Sequence, residues 1–326
     1  MTCTAIVVTY NSAGEIERCL DSLAAQEGVR VDLVVVDNAS VDRTVEIVRD
    51  RHPRAQITEN PVNVGFARAV NQGLARVDPE SPAVFLVNPD TVTSPGTFRA
   101  CLDVLAGDPA VAVVGPRLVH PDGSLHPSCH GFLGLRNLLG EAVGIDHLLP
   151  VSPWGSLHLR AFRHDRVADV DWIQGAFLAV RTAAIREVGP LSSDYFMYGE
   201  EMDWCLRMKQ AGYRVRFLPW PEVMHVGGAS SRPLAGPMFV EVQKSRLRFV
   251  RKHRTRAVAA VAPAFMALGI GLRLAFWEVG GAVLAGRSER QGETVRLRRR
   301  MMRAAAGWVL RGCPLDPFVA APAARP

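Results

Sequence analysis

The six cysteines of this 326-residue chain, Cys3, Cys19, Cys101, Cys129, Cys205 and Cys313, include no CxxC pair. That scatter argues against a disulfide framework and fits reduced, buried thiols of a cytosolic protein. No charged n-region precedes the first apolar run at Thr4, so no signal peptide is expected. Glycine-rich phosphate motifs are missing as well. The first apolar run is followed by Thr9-Tyr10-Asn11-Ser12-Ala13-Gly14 rather than GxGxxG, and no GxxxxGK precedes a Ser or Thr. Those gaps weigh against a dinucleotide-binding Rossmann unit and a P-loop. A long uncharged apolar stretch is also lacking. The run from Ala257 to Leu272 is 16 residues, short of the roughly 20 that span a bilayer.

Apolar runs that end abruptly in polar residues are what the chain does have. Ala83-Val84-Phe85-Leu86-Val87 leads straight into Asn88-Pro89-Asp90. Such a run suits a strand buried on both faces, and Pro89 ends it because proline cannot donate to a sheet ladder. Thr4 to Asn11 and Val31 to Asp37 follow the same pattern. Between them Ser12 and Glu15 are spaced as a capping box, with Ile16, Cys19, Leu20 and Leu23 at helical intervals. Thr44 to Arg51 and Phe66 to Ala75 read as helices and Ala55 to Thr58 as a short strand. The alternation predicts an α/β fold of right-handed βαβ units with a mostly parallel central sheet flanked by helices. In such a sheet Thr9, Tyr10 and Asn11, then Asp37, then Asn88 and Asp90 line one crevice at the carboxyl ends of the strands, where ligands bind. An Asp at the tip of the second strand accepts hydrogen bonds from a ribose or a base imide. With no glycine-rich loop, diphosphate is most simply neutralised by Mg²⁺ or Mn²⁺ held by Asp90. The competing reading makes Asp90 a cap for the helix after Ser94-Pro95.

Four stretches in this order carry a family likeness: Thr4 to Asn11; Asp37-Asn38-Ala39-Ser40-Val41-Asp42-Arg43-Thr44; Asn63-Val64-Gly65-Phe66-Ala67-Arg68-Ala69-Val70-Asn71; and Asn88-Pro89-Asp90. The set resembles the motifs of family-2 glycosyltransferases, above all bacterial rhamnosyltransferases acting on lipid-linked sugars, over roughly residues 1 to 230. The resemblance implies a GT-A fold and inverting transfer from a nucleotide-diphosphate sugar. It also implies that Asp37 contacts the base, Arg68 lies by the nucleotide and Asp90 binds metal. Arg68 has the alternative of a solvated helix-face cation, and Asn63 and Gly65 also read as a turn before a helix.

Val111 to Val114 reads as a further strand, and Pro121-Asp122-Gly123-Ser124 as a hairpin turn. His120, His126, Cys129 and His130 crowd together but match no common zinc spacing. Residues 131 to 168, rich in Gly, Pro and Leu with weak periodicity, are expected to form an acceptor-facing loop. In Asp171-Trp172-Ile173-Gln174-Gly175-Ala176-Phe177 the resemblance implies an approach to donor sugar and acceptor around Trp172 and Gly175; the alternative for Trp172 is a half-buried core side chain. Farther on, Glu200-Glu201-Met202-Asp203 opens a helix, where the dipole favours carboxylates. The matching family stretch is an acidic pair, one residue, then Asp, with the second acid of the pair as general base. That assigns Glu201, one methylene longer than the usual Asp, with Glu200 beside it and Asp203 in reserve. His225 falls where the family has a histidine that helps bind metal or diphosphate. Ser230, Ser231 and Arg232 are candidate phosphate contacts.

The net charge of +6 hides a division. Lys244 to Arg311 carries 16 Lys and Arg against three acids, and the remainder 22 basic against 29 acidic residues. Such asymmetry points to nucleic acid or an anionic membrane surface. An apolar helix between cations fits an interfacial anchor on the cytoplasmic leaflet and suits nucleic acid poorly; a re-entrant or spanning segment is the alternative. The expected division is a catalytic domain over 1–232 (1–110 for the nucleotide sugar, 111–232 for acceptor and catalysis), a helical membrane-associating region over 233–315 and a disordered tail over 316–326. The expected partners are a nucleotide-diphosphate sugar and a polyprenyl-linked or polysaccharide acceptor. Competing functions are transfer of another hexose and nucleotide-sugar binding without turnover; oligomeric state is left open.

Overall fold

The computed structural model describes residues 1–144, 159, 162–227, 234–285 and 288–316, with the side chains of 282–285 and 290 left aside. Its first half alternates β1 (Thr2–Thr9), α1 (Ile16–Ala24), β2 (Arg30–Asp37), α2 (Thr44–Arg51), β3 (Gln56–Glu59), α3 (Phe66–Leu74) and β4 (Ala83–Val87). Then come β5 (Thr91–Thr93), α4 (Thr97–Gly107), β6 (Val111–Val119), β7 (Leu125–His126), β8 (Cys129–His130) and α5 (Leu135–Ala142). Beyond residue 162 lie β9 (Ala168–Val170), β10 (Trp172–Ile173), β11 (Phe177–Arg181), α6 (Thr182–Val188), α7 (Glu200–Gln210) and β12 (Arg214–His225). Three helices close the described chain: α8 (Ala235–His253), α9 (Arg256–Ala285) and α10 (Glu289–Leu310).

The central sheet runs β3-β2-β1-β4-β11-β6-β12-β5. Its first four strands are mutually parallel. Beyond β4 it is mixed: β11 is antiparallel to both β4 and β6, while β12 runs parallel to β6. The order reverses between β1 and β4, which opens a crevice at their carboxyl ends. Side-chain alternation explains the unbroken apolar runs. Cys3, Ala5 and Val7 of β1 pack with α1, α2 and α4, whereas Ile6 and Val8 pack with α3 and α7. Both faces of the strand are therefore dry.

Several local expectations change. The Ser12 hydroxyl does not cap α1; it accepts the Tyr10 amide, while the Ser12 carbonyl receives the amides of Glu15 and Ile16. Residues 13–15 form a turn, so the helix starts too late for a capping box. Part of the expected 131–168 loop is helix α5, which packs against α9; residues 145–158, 160 and 161 lie outside the described residues. All six cysteines are free and buried.

Helices α8, α9 and α10 form a third core with α5 and α7. Met202 and Leu206 of α7 meet Leu247, Phe249 and Val250 of α8, Met266 and Ile270 of α9 and Trp308 of α10. The Ser245 hydroxyl donates to the Met197 carbonyl, and Arg246 pairs with Glu141 of α5. The basic region is thus packed onto α7. The expected boundary at 232 lies outside the described residues, as does most of the expected disordered tail; Asp316, at its start, accepts a hydrogen bond from Lys244 at 3.0 Å.

Candidate active site

The ends of β1, β2 and β4 do meet at the crevice. Thr9 donates to Asp37 Oδ1 at 2.7 Å, and Ser40 donates to the same carboxylate through its hydroxyl at 2.5 Å and its amide at 2.8 Å. Asp37 is only 2 % exposed and is turned to these partners, not to the cavity. Asn11, with φ of 49°, donates its amide to Ser40 Oγ and accepts the Val41 amide on Oδ1. Asp37 and Asn11 therefore stitch the β1 and β2 loops together. Asn63 Oδ1 accepts the Gly65 amide at 3.0 Å, which sets the turn into α3.

A cavity of about 220 Å³ opens beside these strand ends. Among the residues singled out from sequence, it is lined by Thr9, Tyr10, Asn63, Asn88, Asp90, Gly175, Glu200, Glu201 and His225. Of these, Thr9 and His225 are 216 positions apart in the chain. His225 Nε2 stands 3.3 Å from Asp90 Oδ1, and the other Asp90 oxygen accepts the Gly227 amide at 3.0 Å. Both side chains are buried. The carboxylate oxygen and the imidazole nitrogen are close enough that both would reach one divalent cation. The His225 Nδ1 has no hydrogen-bond partner among the described residues. No group of three or more His, Cys, Asp or Glu converges on a point among the described residues. Asp90 and His225 thus fit an Mg²⁺- or Mn²⁺-type ion completed by substrate phosphate and water.

Glu201 sits in the first turn of α7, half-buried, with Oε2 accepting the Gly199 amide at 3.0 Å. Burial raises its carboxyl above the ordinary range, partly offset by backbone amides including those of Gly199 and Gly175. Glu200 is more deeply buried, and one of its oxygens is unpartnered among the described residues. Burial first, then the charges of Glu201 and of Glu241 on α8, push its carboxyl far up. Tyr198, with φ of 69°, holds the adjoining wall in a left-handed backbone that a bulky residue adopts only under constraint.

Asp203 is elsewhere. It is fully buried and bound by Arg207 at 2.8 Å, Lys252 at 2.9 Å and His253 at 2.6 Å. These bonds overcome burial and hold its carboxyl below the ordinary range. Its contacts join α7 to α8, so it does not reach the cavity. Arg68 is exposed on α3, outside the cavity lining. Trp172 also stands apart: its indole donates to the Gly131 carbonyl and stacks on His130 at 4.3 Å. Ser230, Ser231 and Arg232 lie outside the described residues.

Some lining residues escaped the sequence reading. Asn38, Phe66 and Gln174 stand inside the quoted stretches without having been singled out, Phe196 and Tyr198 precede the acidic pair, and Leu234 and Met238 come from the start of α8. His126 stacks between His120 at 4.5 Å and His225 at 4.9 Å. Burial, and the neighbouring His225 and His120, push His126 down to about 4, so this middle ring is neutral near pH 7. Their crowding in sequence was visible; their partner His225, a hundred residues on, was not.

A crevice at the sheet's switch point, with a carboxylate–histidine pair and a helix-borne carboxylate facing one cavity, defines a nucleotide-sugar transferase type of site. The glycosyl transferase family 2 model matches residues 4–164. The N-acetylglucosaminyl-diphospho-decaprenol L-rhamnosyltransferase of Mycobacterium tuberculosis is 31% identical over 233 residues, covering 68% of this chain and 74% of that protein. The chain belongs to glycosyl transferase family 2, among relatives that include rhamnosyltransferases. Solved structures agree on the fold. A mannosyltransferase from Pyrobaculum calidifontis, in complex with GDP-Man and Mn²⁺, aligns with a TM-score of 0.56 at 18% identity, over 94% of this chain and 86% of that one. S. aureus TarS 1-349 in complex with UDP-GlcNAc aligns with a TM-score of 0.52 at 15% identity, over 96% and 92%. The architecture is GT-A.

Proposed function

We propose that this glycosyltransferase moves rhamnose, with inversion, from a thymidine-diphosphate donor to a saccharide carried on a polyprenyl diphosphate at the cytoplasmic membrane face. The sugar and the lipid carrier are favoured by the likeness to the mycobacterial rhamnosyltransferase. The chemistry rests on one observation: Asp90, His225 and Glu201 line the same cavity.

Residues 1–110 supply the donor side of the cavity, and the later segments the acceptor side. Glu201 takes the proton of the attacking acceptor hydroxyl. Its raised pKa makes it a stronger base than an exposed carboxylate, and its amide contacts at Gly199 and Gly175 hold it still. One base on one face of the sugar gives inversion, and no second carboxylate nucleophile is needed. Asp90 and His225 hold the divalent cation, Mg²⁺ or Mn²⁺, whose chemistry when bound is neutralisation of the departing diphosphate. Asn63 and Asn88 present amides to the donor, and Gly175 leaves room beside Glu201. Asp37 and Asn11 act through the loop geometry they fix.

Helix α9 carries the membrane association. Arg256–Gly281 is long and apolar enough to cross a membrane. Arg273 and Glu278 within it, and a basic α10 packed alongside, favour a place in the interface. The test is nucleoside diphosphate release from a panel of nucleotide sugars, with and without divalent cation, and the anomeric configuration of the product by NMR. Thymidine-diphosphate rhamnose is expected to react fastest, only with cation, and with inversion. A faster second hexose would overturn the sugar assignment, and retained configuration the mechanism.

A further inference from the structure

Arg296, Arg299, Arg300 and Arg303 of α10 line an open surface groove of about 340 Å³, separate from the catalytic cavity. Arg296 and Arg300, one turn apart, are exposed and have no ion pair or hydrogen bond to any described residue. Arg303 is held by both oxygens of Glu278, at 2.7 and 3.1 Å. Arg299 donates to the Trp277 and Glu278 carbonyls at 2.8 and 3.0 Å. Arg299 and Arg303 thus face one carboxylate while Arg296 and Arg300 face none, and like charges a turn apart repel. The arrangement suits an anion with several oxygens, since guanidinium forks bind phosphate bidentately.

Two neighbours narrow the ligand. On α9, Val261, Leu268, Leu272, Phe276 and Val279 are 41 to 78 % exposed and recur at intervals of seven, four, four and three residues. They form one apolar face, and its last members flank Glu278 at the arginine row. On the other side Gly236 of α8 packs against Arg300 and Ala304. Leu234 and Met238, two residues to either side of Gly236, line the catalytic cavity. The catalytic cavity and the arginine row thus meet the same turn of α8, and the row reaches the end of α9 through Arg299.

We infer that the Arg296–Arg303 row is the subsite for the diphosphate of the lipid-linked acceptor, with the prenyl chain lying along the exposed face of α9. This rests on the lipid-linked acceptor proposed above. The probe is farnesyl diphosphate in neutral detergent micelles, with EDTA present to silence the Asp90–His225 site, titrated calorimetrically into the full chain. The Arg296→Ala/Arg300→Ala variant removes the two unpartnered guanidinium groups and leaves the Glu278 contacts in place. Its affinity is expected to fall tenfold or more, in the range of losing charge-assisted hydrogen bonds, while uncharged farnesol binds both proteins alike. An affinity within twofold of the parent overturns the proposal, and so does an equal loss for farnesol. Vesicles of phosphatidylcholine with and without phosphatidylglycerol separate the sources. A variant that loses only the anionic vesicles, with farnesyl diphosphate binding intact, assigns the row to bilayer headgroups and overturns the proposal. Failure of the parent to transfer sugar from any donor would sink the functional reading, yet this binding comparison is still decisive for the subsite.

Discussion

Glu201 and Asp203 lie two residues apart on α7, and their surroundings give them opposite tasks. Glu201 faces the cavity with a raised pKa, whereas Asp203 is closed in by Arg207, Lys252 and His253. Glu201→Gln is expected to cut turnover by about 10²- to 10⁴-fold, the usual worth of a general base, with donor affinity unchanged in calorimetry. Asp203→Asn is expected to act on stability instead. Removing the charge leaves Arg207, Lys252 and His253 without the buried carboxylate they share and costs about 3 kcal/mol, visible as a lower Tm, while the folded fraction turns over at near-parental kcat. Glu200 supplies a pH test. Its folded pKa is raised well above the ordinary 4.5, so its contribution to stability is complete below 4.5 and is lost as pH climbs toward the folded value. Glu200→Gln should flatten that decline in a denaturation series from acid to neutral pH; an unchanged slope would refute the burial argument. Sequence distinguished Glu201 through its place in an acidic pair. It offered no way to retire Asp203, because Lys252 and His253 arrive some fifty residues later on another helix.

At the scale of elements, the turn before α3 locks the two halves of the site together. Gly65 has φ of 90°, and a Cβ there would lie 2.6 Å from the Phe196 carbonyl, which accepts the Phe66 amide. Gly65→Ala combines a glycine-only backbone with a collision against main chain, and is expected to cost roughly 1–3 kcal/mol and weaken donor binding. Equal thermal stability and equal donor affinity in the variant would show that the turn tolerates a side chain. The parallel strands β1, β2 and β4 were legible because covered strands must be apolar throughout and end where polar residues begin. Strand β12 was only half legible. Pro219 and Pro221 interrupt its pattern, yet it runs on to deliver His225 beside Asp90. Trp172 follows its alternative reading: β10 pairs with β8, and the half-buried indole stacks on His130 instead of lining the cavity.

For the molecule as a whole, the division of charge between an acidic globular part and a basic helical region was plain in the sequence. The docking of that region on α7 was not, since the shared core of Met202, Leu247, Met266 and Trp308 comes from four separate helices. Membrane attachment should then have two separable parts. In vesicle sedimentation, raising salt to about 1 M, where the Debye length is about 3 Å, is expected to release only some of the protein. Phe276→Ser/Val279→Ser is expected to weaken what persists, because those two side chains are 57 and 78 % exposed on the apolar face of α9. Complete release by salt alone would rule out apolar insertion. The hold of Arg207, Lys252 and His253 on Asp203 carries one more implication. It fastens the start of α7, which bears the proposed base Glu201, to α8, which leads into the proposed membrane helix, so turnover becomes a gauge of how well α8 is seated. A detergent that loosens α8 should slow sugar transfer long before the sheet itself begins to melt.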